Sequence, residues 1–349
     1  MSAVADPGLQ APDAVGIPEP PRGARHPVAG FLARRVGAGL VTLLVLSFVV
    51  FFATNVLPGN VAEAVLGKNA TPQSTATLLR ELHLDHPFIV RYGDWLGGIL
   101  TGHLGKSAVA VAEGGAQTSV AGMIGTPLLN SVILACITIA LLVPLATLAG
   151  AAAALRAGRP ADYSISLTAL VLGAFPEFVI GTFAILIFFT FLHVLPPVSL
   201  LQPGQNALSD PEVLVLPVIT LLAASLSFSA RQVRAGMIEV LRQDFVTVPR
   251  LNGLAERRVL LRYALRNALA PSVQIFAQTI QYILGGIIVV ESVFAYPGIG
   301  TFLVNSVTAR DVTSVEDIAM ILATACVLIN ILADLIVVML VPKLRTSLP

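Results

Sequence analysis

The chain has 349 residues, 56% of them apolar and only 12% charged, with a mean hydropathy of +0.85, where a water-soluble domain carries about 25% charged residues. So little charge cannot cover a water-facing surface of this size, so most of the surface must meet lipid. The formal net charge of +1 points to no partner, and Cys136 and Cys326, each inside a long apolar run, exclude a secreted disulfide framework and read as small buried hydrophobes.

Residues 1–30 hold six prolines and no apolar periodicity, a composition that cannot offset the entropy of ordering; they read as a disordered cytoplasmic tail. The apolar stretch that follows, within 31–57, is longer than the ~7–15 residues of a signal-peptide core and lacks a small-residue cleavage site, so it is a retained first membrane helix. A crossing needs about 20 mainly apolar residues. Six segments qualify, at about 34–57, 128–155, 163–193, 213–234, 267–294 and 316–341. The second to fourth contain Pro144, Pro176 and Pro217, read as kinks in continuous membrane helices. The fold class expected is therefore all-α, with six transmembrane helices. Residues 58–127 form an extracytoplasmic loop domain, with an amphipathic helix at 74–84 and a second segment at 87–100 anchored at the interface by Tyr92 and Trp95. Residues 128–346 form the membrane core.

Lys and Arg flank the spans unevenly. Sixteen fall on one side, in the tail, the 156–159 turn, the 231–266 stretch and the C-terminus; five (Lys68, Arg80, Arg91, Lys106 and Arg310) fall on the other. The positive-inside rule then puts both termini in the cytoplasm, and an even span count agrees. The inner loop 235–266 is basic and amphipathic, suited either to anionic lipid or to a docking partner.

That loop runs Asp244-Phe-Val-Thr-Val-Pro-Arg-Leu-Asn-Gly253-Leu-Ala-Glu-Arg-Arg-Val-Leu-Leu-Arg-Tyr-Ala-Leu-Arg-Asn-Ala-Leu-Ala-Pro271. It resembles the EAA loop of binding-protein-dependent ABC importers, and more narrowly the first permease subunit of their dipeptide/oligopeptide/nickel branch. Collinear matches elsewhere are Leu57-Pro58-Gly59, Glu81-Leu-His-Leu-Asp85-His-Pro87, Trp95-Leu-Gly-Gly98, Gly102-His-Leu-Gly105-Lys-Ser107, Phe175-Pro176-Glu-Phe178, Val290-Glu291-Ser-Val-Phe294-Ala-Tyr-Pro297-Gly298-Ile-Gly300, Asn330-Ile-Leu-Ala-Asp334 and Val341-Pro-Lys-Leu-Arg345. The likeness covers about residues 30–346. It implies a permease that forms half a translocation path for peptides or similar small solutes. The implied partners are a second homologous permease, two ATP-binding subunits and an extracytoplasmic solute-binding protein. ATP and Mg would belong to those ATP-binding partners, with no cofactor in this chain. It also implies a cytoplasmic coupling helix between the fourth and fifth spans, seated in a cleft of the ATPase through Asp244, Phe245, Thr247, Arg250, Gly253, Arg257 and Arg258.

Three features depart from the family pattern: Val248 and Pro249 with Asn252 in the loop, Glu177 in place of Ser in span three, and Asn60 after Leu-Pro-Gly. Because proline is tolerated in a helix's first turn but not its interior, the coupling helix either begins near Pro249 or has a distorted first turn.

No catalytic constellation and no nucleic-acid module is present, and the chain reads as a transport subunit, not an enzyme. Gly102 to Ser107 superficially resembles a phosphate loop, but Leu100 stands where the pattern needs its first glycine. His83, His86 and His103 share the outer loop without a fixed third ligand and read as surface residues, so no metal site is expected. Charges inside spans cost about 2.5–3.5 kcal/mol each on insertion scales, which singles out Glu177, Glu291 and Asp334 as translocation-path candidates. Glu177 follows a kink proline and suits a cationic group of the solute. Glu291 can instead bond the Pro297–Gly298 turn, and Asp334, at i+4 from Asn330, can make a contact within the bundle. The rival reading is an ion-coupled secondary transporter using Glu177 and Asp334, but no inverted repeat is visible, and the docking loop would then be unexplained.

Overall fold

The computed structural model describes residues 27–56, 61–67, 70–82, 85–115, 118–202 and 205–340. The first 26 residues, Leu57–Pro58–Gly59–Asn60, His83 and the closing Val341–Arg345 motif, all singled out from the sequence, lie outside the described residues. Among the described residues the regular structure is helical, apart from one isolated antiparallel bridge between Lys106 and Ser119.

Helix α1 (Pro27–Val56) begins within the stretch read as tail and is the first apolar span. Short helices follow: α2 (Val61–Leu66), α3 (Pro72–Glu81), α4 (Phe88–Thr101) and α5 (Ala108–Ala112). Helix α3 starts where Thr71 and Ser74 cap each other reciprocally, satisfying donors a helix start leaves free. The long helices α6 (Val120–Leu155), α9 (Glu212–Leu241), α12 (Arg266–Phe294) and α14 (Val312–Leu340) are each apolar enough over 18 or more residues to cross a membrane, as is α1.

The third expected span is different. Helices α7 (Pro160–Gly173) and α8 (Glu177–Ile185, continued by a π-helical turn to Phe191) meet at 101° and pass for one crossing only as a broken span. The sequence treated all three prolines alike. Pro144 and Pro217 do sit inside unbroken helices, but Pro176 stands at the break with ψ 154°. A proline disfavours helical geometry in the residue before it, and at 174–176 the chain uses that preference to turn.

Helix α9 is the core of the bundle, packed by α6, α7, α8 and α12, while α1 lies on α14 at the periphery. Helices α6 and α9 approach closely at Gly150. A Cβ there would stand 2.7 Å from both the Ala230 carbonyl oxygen and Val233 Cβ, the use small residues have in membrane helix packing. Apolar side chains left exposed on α1, among them Leu40, Val41, Leu44, Val45 and Phe48, make the lipid-facing surface that the composition demanded. Cys136 is also exposed, contrary to its reading as buried: an apolar span shows apolar residues on its lipid face as well as its core face.

Between α12 and α14 lies α13 (Ile299–Thr308), a short apolar helix that the sequence reading passed over because it is too short to span.

Candidate functional site

The chain leaves α9 through Arg242 and Gln243 and enters α10 (Asp244–Leu251), whose first-turn amides of Val246 and Thr247 bond the Gln243 carbonyl at 3.0 and 3.1 Å. The helix therefore begins at Asp244 with a regular first turn, and Pro249 is inside it. Both options expected from Pro249 are corrected. The proline withholds only the donor that would meet the Phe245 carbonyl, on a helix face where Phe245 is exposed.

Asn252 and Gly253 end α10. Gly253 has φ +76°, its amide bonds Arg250 O at 3.1 Å, and the Leu254 amide bonds Pro249 O at 3.1 Å. This pair of backward bonds satisfies carbonyls that a helix end leaves open, and glycine enters the left-handed region without the Cβ penalty. The reversal brings α11 (Glu256–Arg258) back beside α10. Arg250 then grips Glu256 with two bonds, Nε–Oε2 2.9 Å and Nη2–Oε1 2.6 Å. Those hydrogen bonds hold the exposed Glu256 carboxyl below its ordinary range. Arg250 is thus engaged within its own chain, whereas Asp244, Phe245, Arg257 and Arg258 are exposed and Thr247 half-buried.

One residue anchors the loop. Val246 is fully buried in a small core with Ala154 of α6, Met237 of α9, Val259 and Ala264. The side opposite Val246 is apolar yet open, with Phe245, Val248 and Leu251 exposed by 44, 51 and 80%. A π-helical turn, Val259–Leu265, then leads into α12.

The three span carboxylates part company. Glu291 is fully buried. Its Oε1 accepts from Ser131 Oγ at 2.5 Å and its Oε2 from the amides of Gly300 and Thr301 at 2.7 and 3.2 Å, so it caps the first turn of α13. Asn130 completes this junction, its amide donating to Pro297 O at 2.9 Å. Asp334 pairs with Arg35 of α1, Oδ2–Nε 3.1 Å; Asn330 is bonded by Gln281 of α12. Glu177 is half-buried at the first position of α8. It lies over Gly286 of α12, where a Cβ would stand 3.2 Å from Oε1, one helical turn from Tyr282.

Several polar ties were not read from the sequence. Asp162, buried at the start of α7, takes two bonds from Arg234 of α9, at 2.6 and 2.7 Å. The segment that follows α1 is fastened to the long helices by Arg91 donating to Asn55, Trp95 to Asp317 (2.9 Å) and Ser107 to Asp311 (2.5 Å), while Thr54 and Asn55 of α1 donate to Glu316 of α14 (2.5 and 2.8 Å). Tyr92 meets the Phe51 ring edge-on and Trp95 meets it tilted, and Tyr92 bonds Ser47. Both are half-buried, and their polar atoms find partners on the bundle. Charge pairing within spans was the available signal, since Arg35 faces Asp334 and Arg234 faces Asp162 across helices.

Comparison with known proteins decides the class. The family model described as binding-protein-dependent transport system inner membrane component matches residues 143–346, and the model of the N-terminal part of such membrane components matches 28–115. The chain belongs to this family. It is a permease subunit of an ABC importer, a multi-pass inner-membrane protein and a transport component. The permease is 30% identical over 322 residues to a Brucella ovis protein named "Putative peptide permease protein", covering 91% of this chain and 99% of that one. It is 29% identical over 319 residues to the metal-staphylopine import system permease protein CntB of Staphylococcus aureus, covering 90% and 98%. Nothing in these likenesses favours an ion-coupled carrier.

Proposed function

We propose that the permease is half of a translocation path for peptides or similar small solutes, and that α10 and α11 are its coupling element. The observation that carries this is the two-sidedness of α10. Val246 roots it in the ends of α6 and α9, while Phe245, Val248 and Leu251 form an exposed apolar ridge. A ridge of this kind on a helix outside the membrane suits the cleft of a second protein.

Both termini lie in the cytoplasm, on the side of α10, and the 58–127 segment lies outside. The partners are a second homologous permease, two ATP-binding subunits that hold ATP and Mg, and an extracytoplasmic solute-binding protein, all within membrane lipid. Asp244, Phe245, Thr247, Arg257 and Arg258 meet the ATP-binding subunit; Arg250 and Gly253 shape the element that does so. ATP binding draws the two ATP-binding subunits together, and Val246 passes the movement of α10 to α6 and α9, shifting the population from inward-open to outward-open. Peptide-like solutes fit the relatives' names. Of the three span carboxylates, Glu177 is assigned to the path, while Glu291 and Asp334 hold helices together.

The test replaces Phe245 by Asp. The variant should fold and reach the membrane, yet lose at least tenfold of the ATP-binding subunit that co-purifies with wild type. Full co-purification with undiminished ATP-driven uptake would remove α10 from the docking surface.

A further inference from the structure

Helix α9 runs to Leu241, so Arg231 and Arg234, which from the sequence flank the span, stand ten and seven residues inside the helix end. Their situations differ. Arg234 is neutralised by two bonds to Asp162. Arg231 has no carboxylate partner among the described residues; its one intramolecular bond is Nε to the Ser227 carbonyl, at 3.1 Å. Arg231 is exposed and leans along α9 toward Ser227, one turn nearer the middle of the helix.

There it borders a cavity of about 330 Å³ at the break between α7 and α8, shared with Phe175, Ser227, Gln278, Thr279 and Tyr282. Glu177 lies over Gly286, one turn along α12 from Tyr282. Tyr282 thus borders the arginine's cavity one turn from an acid.

We infer that this cavity receives a carboxylate of the transported solute, with Arg231 as its cation. The inference rests on the transport reading above and deepens it. A guanidinium offers five donors in a planar fork that matches a carboxylate, and one of the five is spent on Ser227. A lipid phosphate would meet the same cation, but Glu177 beyond Tyr282 repels a second negative group and accepts an ammonium. The pair suits a solute that carries both a carboxylate and an ammonium group.

The experiment uses the assembled complex in nanodiscs of zwitterionic lipid, with Cys136→Ser and Cys326→Ser removing native thiols and Gln278→Cys as reporter. Labelling rates with an anionic sulfonate and a cationic ammonium thiosulfonate reagent are each normalised to a free small thiol. The anionic reagent should react at least tenfold faster, and Arg231→Gln should abolish the difference while Arg231→Lys retains it. N-acetylalanine should slow labelling at least threefold and N-acetylalaninamide should not. Equal normalised rates, no reaction with either reagent, or equal protection by acid and amide would overturn the inference. So would protection by anionic lipid alone, which would make it a headgroup site. Receptor-stimulated ATP hydrolysis is measured on the same preparation. If hydrolysis is intact and charge discrimination is absent, the carboxylate site fails and the transport reading stands. If no ATP-binding subunit assembles, both fail.

Discussion

Glu177 and Glu291 look alike in the sequence, each an acid in an apolar run, and their surroundings set them apart. Both oxygens of Glu291 are occupied, and Glu291→Ala would leave the amides of Gly300 and Thr301 and the Ser131 hydroxyl facing an empty buried space. Each buried polar group left unsatisfied costs about 1–3 kcal/mol, so this variant should unfold at a clearly lower temperature in detergent. Glu177 is half-buried, with Gly286 as its neighbour. Glu177→Gln keeps the size but removes the charge. Its thermal midpoint should match wild type while uptake of solutes bearing an amino group falls severalfold in proteoliposomes. Unchanged rate and selectivity would take Glu177 off the path. The residue types were legible from the sequence, but what stood opposite each was not, because Ser131 and Gly286 come from helices far away along the chain.

At the scale of the element, α10 is a short helix whose shape depends on its closing turn. Gly253→Ala puts a Cβ on a residue at φ +76°, at a cost of about 1–2 kcal/mol. If that strain is released by opening the turn, the amides of Gly253 and Leu254 that now bond Arg250 O and Pro249 O should exchange with solvent about 5–30-fold faster. Hydrogen exchange with mass spectrometry would read this, and Gly253→Asn should be milder, since asparagine tolerates the left-handed region. Protection unchanged in Gly253→Ala would show that the Val246 anchor holds the loop unaided. The glycine and the amphipathic pattern were visible in the sequence. The start of α10 was not, because the penalty for an internal proline predicts a boundary near Pro249, whereas burial of Val246 outweighs that local preference and keeps the helix running from Asp244.

Across the whole molecule, the segment between α1 and α6 is held to the bundle by a few polar fasteners around an aromatic cluster. Arg91 is central: it donates to Asn55, its guanidinium lies 5.9 Å from the Phe51 ring centroid, and Asn55 donates to Glu316 at 2.8 Å. Arg91→Ala should loosen α4 from α1 and α14. Trp95, the chain's single tryptophan, should then shift its emission to the red, and proteolysis within 58–127 should speed up severalfold while cleavage of 235–266 stays as it was. An unmoved emission would show that the rings of Phe51, Phe88 and Tyr92 suffice.

Sequence alone determined the environment and the class. Low charge and long apolar runs force a helical membrane protein, because a backbone in lipid must satisfy its own hydrogen bonds; collinear motifs with a basic loop at 235–266 point to an importer permease. Tertiary structure decided everything that depends on which distant residues face each other. It broke the third span at Pro176, buried Glu291 under α13, paired Asp334 with Arg35 and Asp162 with Arg234, and left Arg231 open to a cavity. The cost of a charge in a membrane is set by its neighbours, and neighbours are chosen only when the helices pack.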